Sequence, residues 1–233
     1  NIIKSNRMET LVQALCQVLS DVPQDVMAKE WIAVQSRGMR QWVSQEVARA
    51  LGVCANVGFK FPRQIMEAII LTGREEDGIP VTREMLMWAV LDVLWHDQDH
   101  GRLGELEKYI REDVSGRKRL QLSQRIAAVL DDYQVYRPDM IMHWLKSGMA
   151  RPGQDRTLKS MEDWQAFLWN RAARGKTNFA LGMDAYLKGP ERASTGDLPP
   201  RIILFGISAL PVSFLALLSK ASRYMDVFLF LMT

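Results

Sequence analysis

The sequence predicts an α/β fold in which a parallel sheet, assembled from strands at both ends of the chain, is interrupted by a mostly helical insertion. Three observations predict it. Short apolar runs at residues 2–4 and 31–35 are separated by a segment of helical periodicity. Two further runs, at 201–205 and 226–231, again flank a helical segment. Between these ends, residues 76–197 carry helix-spaced apolar residues almost throughout.

Taken in order, residues 2–4 are the first strand, and 8–19 place Leu11, Leu15, Val18 and Leu19 on one helical face. Residues 31–35 are a second strand. The chain leaves it through a polar, glycine-containing turn and passes directly into a helix using Met39, Trp42, Val43, Val47, Ala50 and Leu51, with Gly52 as its stop. Residues 55–57 suit a third strand, and Phe61-Pro62 opens a helix through 71, proline being tolerated in a first turn. In the block that follows, helices are expected at 82–95, 103–111, 118–136, 140–146, 161–173 and 180–188. Ser160-x-x-Asp163 resembles a helix-start signal, and Arg137-Pro138 ends the long helix because proline pushes the preceding residue out of the α region. Pro199-Pro200 leads into the strand 201–205, a turn at 206–211, a helix at 212–222 and the strand 226–231. The expected domains are thus 1–75 with 198–233, an α/β core, and 76–197, an inserted helical domain. A final strand with no cap reads as part of a longer protein.

Composition narrows the classes. Hydrophobic residues make up 48% and charged residues 24%, as in globular domains, and the formal net charge of +3 permits a polyanionic partner without demanding one. No run approaches 18 apolar residues and no leader pattern is present, so neither a membrane partner nor secretion is expected. Cys16 and Cys54 lack metal-like spacing, which suits a reduced, cytoplasmic setting.

The segment 31–42 is a strand–turn–helix unit, with which α/β proteins present backbone N–H groups and side chains to phosphates. Its polar groups are Gln35, Arg37, Arg40 and Gln41, amides and guanidiniums able to hold a phosphate backbone or read a base edge, but not to hydrolyse anything unaided. Other motifs fail their context. Gly175-Lys176-Thr177 imitates the end of a phosphate loop, yet Asn170 stands where its first glycine is needed and a helix precedes it. His96 and His100 share an i, i+4 spacing but lack a third ligand. Arg117, Lys118, Arg119 and Arg125 form a basic cluster, open to a solvated helix start or to phosphate contact. Asp131 and Asp132 are adjacent on a helix and point about 100° apart, a poor acid/base pair. Trp88 and Trp95, seven apart, read as one buried stripe. Ser36 and Ser208 have no nearby histidine to activate them.

Five segments then make a specific pattern, in order: Lys4-Ser5-Asn6-Arg7; Val34-Gln35-Ser36-Arg37-Gly38-Met39-x-Gln41-Trp42; Gly52-x-x-Ala55-Asn56-x-x-Phe59; Asp131-x-Tyr133-x-Val135-Tyr136-Arg137-Pro138-Asp139; and Phe205-Gly206-Ile207-Ser208-Ala209-Leu210-Pro211. Together they resemble the N-terminal region of the gamma chains of bacterial exodeoxyribonuclease V, the RecC family, over essentially the whole chain. The resemblance implies a P-loop-helicase-like parallel sheet, a degenerate superfamily-one motor domain with an inserted helical domain. It implies a non-catalytic DNA-handling scaffold of a helicase–nuclease acting in double-strand-break repair and homologous recombination. No cofactor belongs to this chain on that reading; ATP and magnesium are expected only in partner subunits. The implied partners are single-stranded and forked DNA, the helicase-nuclease beta subunit and the helicase alpha subunit, in the bacterial cytoplasm at the nucleoid.

The residues agree independently with a lost motor, because a helicase needs a glycine-rich loop with a lysine on the phosphates and a carboxylate for magnesium. Here the first strand runs into Lys4-Ser5-Asn6-Arg7 and the later one ends in Phe205-Gly206-Ile207-Ser208. By resemblance, the region lines a tunnel for the strand ending in 3′ and contributes to reading the octamer Chi. Gln35, Gln41, Asp131 and Arg137 are carried over as DNA contacts, with Asp132 beside them. Arg37, Arg40 and the 117–119 cluster would take phosphates, and Phe61 and Tyr136 would stack on bases, along a groove from the strand end at Gln35 to the helix end at Arg137. Arg37, Glu67, Ala128 and Asp132 depart from the usual family pattern, which leaves the recognised DNA sequence open. Two other readings stay in view: a working ATPase with a divergent site, and a pure subunit-interaction scaffold.

Overall fold

The computed structural model describes residues 1–21, 27–72, 80–96, 103, 105–149, 156–190 and 198–233. The chain folds as two compact units, Asn1–Glu75 with Tyr186–Thr233, and Glu76–Ala185. The return to the first unit comes at Tyr186.

The first unit contains β1 (Ile2–Ser5), α1 (Met8–Ser20), β2 (Glu30–Ala33), α2 (Arg37–Leu51), β3 (Val57–Lys60) and α3 (Pro62–Leu71). The second contains α4 (Arg83–His96), α5 (Glu105–Ile110), α6 (Arg117–Tyr136), α7 (Pro138–Ser147) and α8 (Arg156–Ala172). Helix α9 (Phe179–Lys188) contains the second division, and β4 (Arg201–Ile207), α10 (Val212–Ala221) and β5 (Asp226–Met232) complete the first unit.

All strand pairs are parallel, in the order β1-β5-β4-β2-β3. Strands from the two ends of the chain therefore form one sheet, with Trp31 opposite Ile202 and Ile2 opposite Leu229. Every residue of the central β4 is buried, as expected of a strand covered on both faces. Connections β1-α1-β2 and β2-α2-β3 run in one direction across the sheet, whereas β4-α10-β5 runs in the other. Right-handed crossovers then place α1 and α2 on one face and α10 on the opposite face. On the α1/α2 face, Leu11, Leu15, Val43 and Val47 pack with Ile32, Val34, Ile203, Phe205 and Phe230. Helix α10 packs with α3, where Ile65, Ile69, Phe214 and Leu217 are buried. Each such side chain removed from water contributes roughly 1.5–3 kcal/mol.

At the N-terminal edge of the sheet, Arg201 and Glu30 begin adjacent strands and are both buried, 3.2 Å apart. Arg201 also donates to the carbonyls of Val18 and Asp21, tying the end of α1 to the sheet. Burial pushes the Glu30 carboxyl above its ordinary range; the Arg201 charge lowers it less than that, and Asp21 raises it further. Cys16 is buried in the α1 face, where burial, then Glu46 and Cys54, raise its thiol.

The second unit packs α4 on α6 and α8. Its core contains Leu86, Val90, Ile126, Leu130, Trp144 and Trp169. Trp144 donates its indole N–H to buried Glu162 at 2.9 Å. Arg137 both closes α6 and opens α7, its N–H reaching the Tyr133 carbonyl and its carbonyl accepting from Met140 and Ile141. The break before Pro138 is where the proline rule places it.

Several expectations need correction. Trp88 and Trp95 are 56% and 50% exposed rather than buried. Helix α4 is apolar on nearly every side, so heptad spacing alone does not select the face that packs; Leu86, Val90, Val93 and Leu94 take it. Residue 160 lies inside α8 and starts no helix. The turn expected at 206–211 begins later, because Gly206 and Ile207 stay in β4 through a bulge. The strand expected at 55–57 is Val57–Lys60. Among the described residues, no helix is long and apolar enough to cross a membrane.

Candidate nucleic-acid interface

Because all five strands run parallel, their C-terminal ends share one edge. Chain directions diverge between β2, which leads outward to β3, and β4, which leads the opposite way to β5. That divergence opens the crevice where open α/β sheets bind ligands. It is flanked by residues 34–36 after β2 and 208–211 after β4.

Ser36 determines how the chain leaves β2. Its backbone is extended, its Oγ accepts from the Met39 N–H at 3.1 Å, and its carbonyl accepts from the Arg40 N–H. This cap starts α2 at Arg37, so Gly38 lies inside the helix and the turn shortens to 34–36. Gln35, Arg37, Arg40 and Gln41 are all exposed. With Ser44 and Gln45, the last three line an open depression of about 560 Å³. Positions 37, 40, 41, 44 and 45 form one helical stripe, so Ser44 and Gln45, missed from the sequence, were readable from their i+3 and i+4 spacing to Gln41.

The electrostatics of this helix start are unusual. No acidic residue occupies the first turn of α2, which instead carries Arg37 and Arg40. A cation at a helix N-terminus opposes the macrodipole by about 0.3–1 kcal/mol. Helix stability therefore does not explain these arginines. The Arg40 guanidinium lies 5.7 Å from the Phe59 ring centre and the Lys60 ammonium 4.3 Å from that of Trp31, giving the β2–β3 end a layer of cations over aromatic rings. Phe61 caps α3, its N–H held by the Gln64 side chain at 2.8 Å, with its ring 46% exposed.

Beside this stripe the crevice is filled. Gly206 has φ +65°, and a Cβ there would lie 2.8 Å from the Met8 methyl and 3.8 Å from that of Met39. The starts of α1 and α2 thus close over the end of β4 with two thioether side chains. Together with the glycine-free Lys4-Ser5-Asn6-Arg7 and the absence of a carboxylate in Phe205-Gly206-Ile207-Ser208, this apolar filling does not fit a nucleotide triphosphate or its magnesium. Strand β5 also separates β1 from β4, so these two strand ends are not immediate neighbours.

The second unit holds the remaining candidates at the end of α6. Asp131 is half-buried and its Oδ1 accepts from Gln134 at 3.1 Å; buried Gln134 in turn accepts the Phe179 N–H at the start of α9. Asp132, Tyr136 and Arg137 are exposed, Tyr136 by 68%. The Arg137 guanidinium lies 5.9 Å from the Tyr133 ring centre and makes no cap; only its backbone does. Ala128 is half-buried on the same helix, and in the first unit Glu67 pairs with Arg63 at 2.9 Å.

The basic cluster divides. Arg119 is held inward by the Asp113 and Leu94 carbonyls, leaving Arg117 and Lys118 exposed. Burial pushes the Asp113 carboxyl up, but the Arg119 and Lys118 N–H groups, the Arg119 charge and the Ser115 hydroxyl outweigh it and hold the group below its ordinary range. Lys176 donates to the Ala172 carbonyl at the end of α8, which identifies Gly175-Lys176-Thr177 as a helix C-terminus. His96 bonds Asp92, while the rest of the His96–His100 pattern lies outside the described residues. No metal-like group of side chains occurs among the described residues.

Comparison with known proteins agrees with the resemblance. The family described as RecC, N-terminal domain, matches residues 1–233. "RecBCD enzyme subunit RecC" of Escherichia coli (strain K12) is 28% identical over 98% of the chain and 21% of its own length. The proteins of the same name from Haemophilus influenzae and Mycolicibacterium smegmatis are each 27% identical, over 97% and 98% of the chain and 22% and 20% of their own lengths. The chain therefore spans about a fifth of the curated relatives it matches.

Proposed function

Since the chain belongs to the RecC N-terminal domain family, we propose that it is a non-catalytic, DNA-handling region of a RecBCD-type helicase–nuclease acting in DNA repair and recombination. Its α/β unit is a helicase-motor shape whose phosphate chemistry has gone. The single observation that carries this reading is the stripe of Arg37, Arg40 and Gln41 at the start of α2, beside a crevice closed by Met8 and Met39. Exposed cations and amides at a strand end remain where nucleotide chemistry has been lost.

In this reading Arg37 and Arg40 hold phosphates of a single strand at a forked end, and Gln35 and Gln41 offer donor–acceptor pairs to base edges. Phe61 and Tyr136 supply ring faces for stacking. Arg137 can fork onto guanine, and Asp132 or Asp131 can accept from a cytosine amine. These groups suit a contribution to Chi-type recognition on the strand ending in 3′. ATP and magnesium belong to the partner subunits, the helicase-nuclease beta chain and the helicase alpha chain.

The test uses the reassembled complex. Replacing Arg37 and Arg40 by alanine should weaken binding on all sequences and flatten its salt dependence, by about 0.7 in slope for each phosphate no longer neutralised. Gln41→Ala or Arg137→Ala should instead cost roughly 1–3 kcal/mol on the preferred sequence alone. Unchanged sequence discrimination in both variants would leave the scaffold role.

A further inference from the structure

We propose that the first turn of α6 and the rings beside it form a second binding surface for single-stranded nucleic acid, in which Trp95 stacks on a base while Arg117 and Lys118 hold phosphates. The surface lies wholly within the second unit and stands on observations independent of the α2 stripe.

Trp95 is half exposed yet firmly held. A Cβ on Gly116 would lie 2.6 Å from its ring, so the ring rests directly on the glycine backbone. The Arg119 guanidinium lies 4.7 Å from its centre. Arg119 is itself anchored, donating Nε to the Leu94 carbonyl at 3.2 Å and Nη1 to the Asp113 carbonyl at 2.9 Å. Asp113 in turn receives the Arg119 N–H at 2.9 Å. A half-exposed indole resting on Gly116 beside an anchored guanidinium loses little further freedom on binding, which is what a stacking platform requires.

The adjacent residue repeats the arrangement. Lys118 places its ammonium 5.4 Å from the centre of the Tyr109 ring, 53% exposed at the end of α5. Arg117 and Arg111 are exposed on the same stretch. Of its carboxylates, Asp113 is neutralised internally and Glu112 is exposed. Two half-exposed rings flanked by cations match the chemistry of an unpaired strand, whose bases offer ring faces and whose backbone offers charge. A duplex hides those faces, so discrimination against it is expected.

The experiment measures binding of a fluorescein-labelled oligothymidylate to the 233-residue chain across a salt series. Trp95→Ala should weaken binding about ten-fold, with Trp95→Phe recovering much of it. Arg117→Ala with Lys118→Ala changes only exposed side chains and should lower the salt slope by about 1.4, the value for two single-strand phosphates no longer neutralised. Arg37→Ala with Arg40→Ala serves as the comparison. Loss of binding confined to that pair overturns the second surface and leaves the α2 reading standing; loss confined to the α6 variants does the reverse. Equal binding by all variants, no binding by the parent chain, or equal competition by duplex overturns the proposal.

Discussion

Gly206 and Met8 meet across the end of the sheet: the glycine adopts φ +65° inside β4, and any Cβ it carried would meet the Met8 methyl at 2.8 Å. Two constraints converge at this residue, a left-handed backbone and a covering side chain. Gly206→Ala should therefore destabilise the protein by about 1–3 kcal/mol in urea unfolding. Adding Met8→Ala should relieve the steric part and leave the backbone part. Full recovery in the double variant would show that strain at φ +65° contributes nothing.

The Arg201–Glu30 pair is expected to be costly to break and cheap to replace. Arg201→Met leaves Glu30 buried without its cation, for an expected loss of about 3–5 kcal/mol, whereas Arg201→Met with Glu30→Leu should recover most of it. Chemical denaturation of the three proteins decides the matter, and additive losses would refute the pairing.

Glu30 also gives a pH dependence of definite sign. Its folded carboxyl is raised above the unfolded value, so the folded state disfavours its charge. The penalty is absent below the ordinary carboxylate range, grows as pH rises through the window up to the raised value, and is fully present above it. Stability of the parent relative to Glu30→Gln should fall across that window. A relative rise would mean that Arg201 outweighs burial.

Asp131 holds Gln134, which holds the start of α9. Asp131→Ala should lower stability by about 0.5–1.5 kcal/mol, while Asp131→Asn, which keeps an acceptor oxygen, should stay close to the parent. A DNA role that needs the carboxylate is then read separately, as lost binding by the stable Asp131→Asn protein.

The chain alone should show no DNA-stimulated ATP hydrolysis. Turnover that disappears on Lys4→Ala or Lys176→Ala would overturn the lost-motor reading.

The sequence by itself determined the order of strands and helices, because a period of two or 3.6 and punctuation such as Arg137-Pro138 are local properties of the chain. It also carried the family pattern from Lys4 to Pro211 and the polar groups of the α2 start. Which strands become neighbours was decided only in three dimensions: the order β1-β5-β4-β2-β3 depends on crossover handedness and on which apolar faces bury each other. The same holds for α4, whose all-round apolar surface left the choice between Trp88 and Leu86 to the packing of α6 and α8. Gly206 looked like a turn residue because glycine preference is local, whereas it adopts its left-handed φ of +65° inside β4, covered by a methionine from a helix nearly two hundred residues earlier. Arg119 looked like part of a surface cluster for a similar reason. Charge is legible in a sequence, but the carbonyls that draw one arginine inward and leave its neighbours in water are supplied by other elements of the fold.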